Sequence, residues 1–430
     1  MKCLLLLIPG LLSLQVQAAP RLTRGAYLQL QTSNSMVIRW RTDRATRGLV
    51  RFGTTPESAT NLVRHAGLLQ DHIVRVGGLL PDTRYFYAIG RETNQWFNEP
   101  GGTHAFRTAP VPGPPRPTRI WVIGDAGTAG TNQFAVRDAF HQFSAGRLPD
   151  AWLMLGDNAY NSGTDAEYQR AFFDPYAWWL RQVPVWPTLG NHDAGSANSP
   201  TQSGVYYDLF TLPTQGQAGG LPSGTEAYYS FDIANIHFIC LDSHDTDRRP
   251  DGAMAQWLRA DLESTGRDWI VCFFHHPPYT RGSHDSDSRT DSSGRMVEMR
   301  QNLLPILEAG GVDLVLAGHS HSYERSHLLD GAYGFSGDLR DEHFINRGDG
   351  RMDGDGPYLK PGGNAPRAGA VYLVAGSSGK LGGGPLNHPA MYLSLNKLGS
   401  LILDVVGPEL HGTFLNHRAQ VRDYFTLRKP

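Results

Sequence analysis

Five short apolar runs, each leading into a polar cluster of metal-ligand residue types, constrain this chain more than any other feature. Ile120–Ile123 leads into Gly124-Asp125-Ala126-Gly127, and Ala151–Leu155 into Gly156-Asp157-Asn158-Ala159-Tyr160. Val185–Leu189 leads into Gly190-Asn191-His192-Asp193, Trp269–Phe274 into His275-His276-Pro277-Pro278-Tyr279, and Asp313–Ala317 into Gly318-His319-Ser320-His321. These runs, and Ile236–Leu241 with them, read as buried strands. Gln133–Phe143, Glu167–Leu180, Met254–Leu262 and Met299–Leu307 read as amphipathic helices between them. Strands alternating with helices predict a layered α/β (α+β) domain. The apolar runs Ala370–Ala375, Leu401–Val406 and His411–Leu415 have little helix between them and are expected to complete a second sheet.

In such sheets, sites form beyond the carboxyl ends of the strands, so five polar clusters at five strand ends converge on one crevice. Singly, each has an ordinary explanation. Gly-Asp at a strand end is a turn with a capping aspartate, and His275 or His319 alone is a satisfied core histidine. Five in succession are not explained that way. Asp157 offers two oxygens and can bridge two metal ions. Tyr160, three residues on, offers a phenolate, a hard donor suited to a ferric ion.

Upstream of this pattern the chain has a different period. Residues 21–109 read as all-β, with strands at Ser35–Trp40, Gly48–Gly53, His72–Val76 and Arg84–Ile89 separated by turns such as Leu80-Pro81-Asp82. Their size and spacing predict a β-sandwich with no catalytic constellation and a spacer or shielding role. Gly78-Leu79-Leu80-Pro81-Asp82-Thr83-Arg84-Tyr85 resembles a turn-and-strand stretch of fibronectin type III-like domains. The proline-rich stretch 110–117 is a stiff linker, and the layered domain occupies 118–430.

Lys2 followed by the apolar Leu4–Leu14 and Val16-Gln17-Ala18 reads as a signal peptide, residues 1–18, so a secreted or periplasmic protein is expected. No run is long enough for a membrane anchor. With 39 basic and 41 acidic side chains, no nucleic-acid partner is indicated. Cys240 and Cys272 each lie in an apolar run and are expected as buried free thiols, though neighbouring strands would allow a bridge. Two polar loops, Arg281–Gly294 and Phe335–Arg367, are expected to shape the pocket rim. Asp349, Asp353 and Asp355 in the second meet no calcium-loop spacing and read as solvated.

The five clusters resemble the motifs of the calcineurin-like metallophosphoesterases. Tyr160 and the run Gly318-His319-Ser320-His321-Ser322-Tyr323-Glu324-Arg325 narrow the resemblance to purple acid phosphatases, whose plant-type members also carry an N-terminal β-sandwich. The resemblance implies that Asp125, Asp157, Tyr160 and His321 hold one metal, Fe(III). It implies that Asp157, Asn191, His275 and His319 hold a second, divalent one: Zn, Fe or Mn. Donor chemistry agrees: carboxylate and phenolate suit a trivalent ion, amide and imidazole a divalent one. His275, not His276, takes the strand-end position of the motif. His192 resembles the family's outer-sphere histidine, which contacts the phosphate.

The implied activity is hydrolysis of small phosphate monoesters by a metal-bound hydroxide, with the metals roughly 3.5–4 Å apart. A phosphodiesterase or nucleotide pyrophosphatase would use the same site. A non-catalytic binding protein using the sandwich has no need of seven ligands. Where plant-type members have two adjacent histidines, this chain has His284 and Asp285. His284 keeps the first and is expected to bind phosphate or protonate the leaving oxygen. Asp285 departs from the pattern.

Overall fold

The computed structural model describes residues 18–430, so the expected leader lies outside the described residues up to residue 17. Residues 22–107 form two sheets. One pairs Leu22–Gln29, Ser35–Thr46 and Leu69–Gly77; the other pairs Asn61–Arg64, Leu49–Gly53, Arg84–Glu92, Gln95–Trp96 and Ala105–Arg107. Alternation decides the packing: Met36, Ile38 and Trp40 face Val50, Tyr87, Ile89 and Phe106 inside the sandwich. The intervening Val37 and Arg39 face outward, toward the second domain.

The second domain stacks two mixed sheets. Val185–Pro187, Ala151–Met154 and Thr118–Ile123 run parallel, then continue antiparallel through Gly399–Val406, Glu409–Asn416 and Val421–Arg428. In the other sheet Ile236–Cys240, Trp269–Phe274, Leu314–Ala317 and Ala370–Ala375 run parallel. Tyr229–Ile233 and Tyr323–Leu329 flank them antiparallel. Ala370–Ala375 thus joins the sheet that carries the histidine strands, while Leu401–Val406 and His411–Leu415 fall in the opposite one; the expectation that all three share a sheet is corrected.

Register assigns the faces. Trp121 pairs with Trp152 across adjacent strands, and Trp121 stacks on Phe140 of helix Thr131–Ser144 at 4.3 Å. The neighbouring Trp186 points the other way and stacks on Phe231 of the second sheet at 3.8 Å. Helices therefore cover both outer faces and a dry aromatic layer joins the sheets. The same rule settles the thiols. Ile239, not Cys240, is the partner of Cys272, so the two sulfurs leave opposite faces of the sheet and stay free although their strands are neighbours.

Two expected helices are interrupted. Glu167–Leu180 breaks into Asp165–Tyr168, a wide turn Gln169–Phe173, and Ala177–Leu180, because Pro175 cannot donate and clashes with the preceding turn. Met299–Leu307 is part of a longer helix, Arg295–Ala309, widened over Met299–Leu303 ahead of Pro305.

Nor does the sandwich hang as a spacer. Tyr27, Leu30 and Val37 belong to the main core. The buried Arg24 donates to Asp165 at 3.0 Å and to Gln169 at 2.9 Å, and its guanidinium covers Phe173. Arg41 reaches the other oxygen of Asp165, and Tyr27 donates to the Leu209 carbonyl. In the linker, Arg116 bridges Asp82 of the sandwich and Asp150 of the layered domain.

Candidate metal centre

Asp125, Asp157 and His319 each sit just past a strand end with φ of 55°, 52° and 65°. Left-handed backbone turns each side chain back over the sheet edge, a conformation tolerated by aspartate and strained for most other residues. The approach is close: a Cβ added to Gly190 would lie 2.3 Å from Asp157 Oδ1, and one on Gly318 2.5 Å from Asp125 Oδ2.

The two carboxylates are buried side by side. Asp125 accepts from the His319 amide at 2.8 Å and from Tyr160 OH at 3.2 Å; Asp157 accepts from the His192 amide at 2.9 Å. Their ionic neighbours are histidines alone, among the described residues: His321 at 3.6 Å from Asp125, and His275 at 3.4 Å and His192 at 3.8 Å from Asp157. Burial, and the charge of Asp157, push Asp125 up to about 7. Burial works on Asp157 too, but the adjoining His275 and His192 hold it below the usual carboxylate range. Tyr160 lies far above an ordinary phenol through burial and the same two carboxylates.

Hydrogen bonds behind the imidazoles decide which nitrogen faces inward. His275 Nδ1–H donates to the Leu155 carbonyl at 2.8 Å, leaving Nε2 toward Asn191 Oδ1 at 2.9 Å and Asp157 Oδ1. Ser292 Oγ–H donates to Asp291, so it accepts His319 Nε2–H at 2.6 Å and leaves Nδ1 free. His321 Nε2 meets Tyr160 OH at 3.3 Å, and atoms of Asp125, Asp157 and His321 lie within 4.8 Å of one another. Burial drives His319 well below an ordinary imidazole; burial, then Lys380, bring His321 down to about 4. Neutral rings and uncompensated buried carboxylates are what a cation pair requires, and the residues fit one.

The other expected residues fall around this cluster. His276 is buried and bonds Ser243 Oγ at 2.9 Å, although it also lies beside His275 and His319. His192 donates Nδ1–H to the Asn161 carbonyl at 2.6 Å, and its ring lies 4.4 Å from that of Tyr160. His284 stacks on His319 at 3.8 Å and bonds Asp291 through Nδ1 at 2.9 Å. His192 and His284 thus flank the cluster from its tyrosine side and its histidine side. Asp285 points away to Arg281 and is half exposed.

The loop Arg281–Gly294 lies at the rim, as expected, but Phe335–Arg367 does so only in part. Ser336 backs the first loop through Asp287 and Arg281, whereas Lys360 pairs with Asp313 at the opposite end of strand Leu314–Ala317. Asp349 spends an oxygen on the amides of Arg351 and Asp355, and Asp353 and Asp355 are exposed.

Sequence reasoning assigned no role to four groups. Asp291 and Ser292 link His284 to His319, with nothing in their polar loop to mark them. Buried Asp193 accepts from the Gly190 and Asn158 amides and from Tyr168 OH at 2.7 Å, fixing both neighbouring strand ends. Lys380 follows another strand end, Ala375-Gly376, and its ammonium lies over the Tyr160 ring at 3.9 Å. An apolar run closing on glycine was the available signal for it.

Two protein families match the chain. The calcineurin-like phosphoesterase family matches residues 118–323, and the purple acid phosphatase N-terminal domain matches residues 24–108. Purple acid phosphatase 15 of Arabidopsis thaliana is 28% identical over 305 residues, covering 65% of this chain and 53% of that protein. Purple acid phosphatase 18 of the same plant is 27% identical over 321 residues, covering 70% and 65%. The matched stretch therefore spans between about half and two thirds of these relatives. The structure of purple acid phosphatase PPD1 from yellow lupin (Lupinus luteus) seeds shares the fold, with a TM-score of 0.69 at 18% identity over 94% of this chain and 74% of that one.

Proposed function

This chain belongs to the purple acid phosphatases among the calcineurin-like phosphoesterases, and on that basis we propose that it is an exported binuclear metal phosphatase acting on phosphate monoesters. Asp125, Asp157, Tyr160 and His321 hold a ferric ion. Asp157, Asn191, His275 and His319 hold a divalent one: zinc, iron or manganese. The observation that supports this most is the pair of buried carboxylates facing imidazole nitrogens with no lysine or arginine to neutralise them, among the described residues. When bound, such a metal pair supplies Lewis acidity toward phosphoryl oxygens and an activated water.

The chain's own residues do the rest. Asp157 spans both sites. The Asn161 carbonyl and the Asp291 carboxylate each accept a hydrogen bond from Nδ1 of a flanking histidine, so His192 and His284 present Nε2 to a substrate. His192 serves as a phosphate contact. His284, over the divalent side, acts with a second proton on Nε2, through which it binds phosphate and which it passes to the leaving oxygen. Assays of the purified, metal-analysed protein on p-nitrophenyl phosphate and bis(p-nitrophenyl) phosphate test the reading. Faster turnover of the monoester is expected; faster turnover of the diester would replace it with a diesterase. Among the described residues no helix is long and apolar enough to cross a membrane. Export predicts a secreted or periplasmic form whose N-terminus is Ala19, checked by N-terminal sequencing.

A further inference from the structure

The segment Gly376–Gly384 leaves the end of strand Ala370–Ala375 and wedges between the Asp125 turn and the loop that begins at Arg281. Its glycines make that possible. A Cβ on Gly376 would lie 2.3 Å from the Ser320 carbonyl oxygen, one on Gly379 2.5 Å from that of Asp125, and one on Gly382 2.2 Å from Ser283 Cβ. Ser378 ties the segment down, its amide donating to the Gly124 carbonyl at 3.1 Å and its hydroxyl to that of Gly399 at 2.9 Å. Gly382 N–H donates to the His321 carbonyl at 3.1 Å. A rigidly seated loop therefore delivers one side chain, Lys380, to the face of Tyr160.

Its ammonium lies over the ring at 3.9 Å, the geometry of a cation–π contact. Among the described residues it has no carboxylate within salt-bridge distance and no hydrogen-bond acceptor. The tyrosine beneath it is buried, so little water screens the charge from the ring.

We propose that Lys380 is a positioning residue for Tyr160: its fixed charge lowers the energy of the phenolate's donor electrons and so sets the colour and reduction potential of the ferric ion they bind. The proposal rests on the assignment of that ion to the tyrosine side. The charge lies over the ring face, whose π electrons carry the phenolate donor pair, so it stabilises the electron donor directly. Phenolate-to-iron charge transfer then needs more energy, and a positive charge nearby favours the reduced ion.

The test uses the full-length, iron-loaded protein. Wild type, Lys380→Gln and Lys380→Arg are compared by iron content, visible absorption and potentiometric titration of the iron. With equal iron, Lys380→Gln is expected to move the band to longer wavelength and lower the potential, while Lys380→Arg restores both toward wild type. A structural role would not distinguish glutamine from arginine in that way. A coloured Lys380→Gln protein with unmoved band and potential overturns the proposal alone. A wild type that binds iron yet shows no visible band overturns the tyrosine–iron assignment, and the proposal with it. If the glutamine variant does not fold, a Lys380→Arg protein whose band and potential depart from wild type as far as those of Lys380→Met overturns it as well.

Discussion

His284 offers the sharpest test at the scale of one residue. Its Nδ1 proton is committed to Asp291, and its ring lies flat on His319, so only Nε2 is left to meet a leaving group. His284→Ala should lower kcat by about 10²-fold for an alkyl phosphate, whose leaving oxygen must be protonated, and by much less for p-nitrophenyl phosphate. Equal losses on both substrates would reduce the residue to a phosphate contact. Tyr160→Phe should abolish visible absorption while leaving some metal bound; an unaltered spectrum would remove the phenolate from the account. The candidate ligands could be picked out from sequence because each lies within a short turn after a strand's carboxyl end. The supporting groups were not. Asp291 and Ser292 lie in a polar loop whose path is set by contacts with Arg281, Arg295 and the metal-facing histidines, and no local pattern encodes such contacts.

At the scale of elements, apolar runs located the buried strands of the layered domain closely, as at Trp269–Phe274 and Ala370–Ala375, whereas in the sandwich Ser35–Thr46 runs well past the expected Trp40. The reading missed Tyr229–Ile233 and Tyr323–Leu329. Both mix buried polar groups, Asp232, Glu324 and Arg325, among apolar ones, and that polarity hides a strand until its partners are known. Asp232 has such a partner. His237 is buried between Asp232 and Asp261, donating to them at 2.7 and 2.8 Å and tying helix Ala253–Ser264 to the outer face of its sheet. Burial alone would lower this imidazole, but the two carboxylates outweigh it and raise it to about 9. A raised folded value contributes stability that is complete below the unfolded pKa of about 6.5 and is lost as pH rises through 9. Urea unfolding should therefore show wild type losing on the order of 3 kcal/mol relative to His237→Gln between pH 6.5 and 9.5. Parallel curves for the two proteins would mean that the histidine is neutral in the fold.

The whole molecule depends on a contact that sequence could not reveal. The strand patterns located the sandwich, but its outward faces read as ordinary surface; Tyr27, Val37 and Arg24 become core only against Phe173 and Leu209. That contact bears on the site. Arg24 holds Asp165 and Gln169, the same short helix carries Tyr168, and Tyr168 holds Asp193 between two ligand-bearing strand ends. Arg24→Ala should destabilise the protein by roughly 2 kcal/mol, from the lost charged hydrogen bonds and the uncovered Phe173 ring. Residues 118–430 expressed alone should be poorly soluble. A stable, fully active fragment would return the sandwich to the role of spacer. The claim on which everything else rests is that Asp157 joins two metals in one centre, and metal analysis beside activity tests it most directly. Wild type should carry two metal ions per chain, and Asp157→Ala should lose one or both together with nearly all monoesterase activity. An Asp157→Ala protein with full metal content and near-normal turnover would contradict the account.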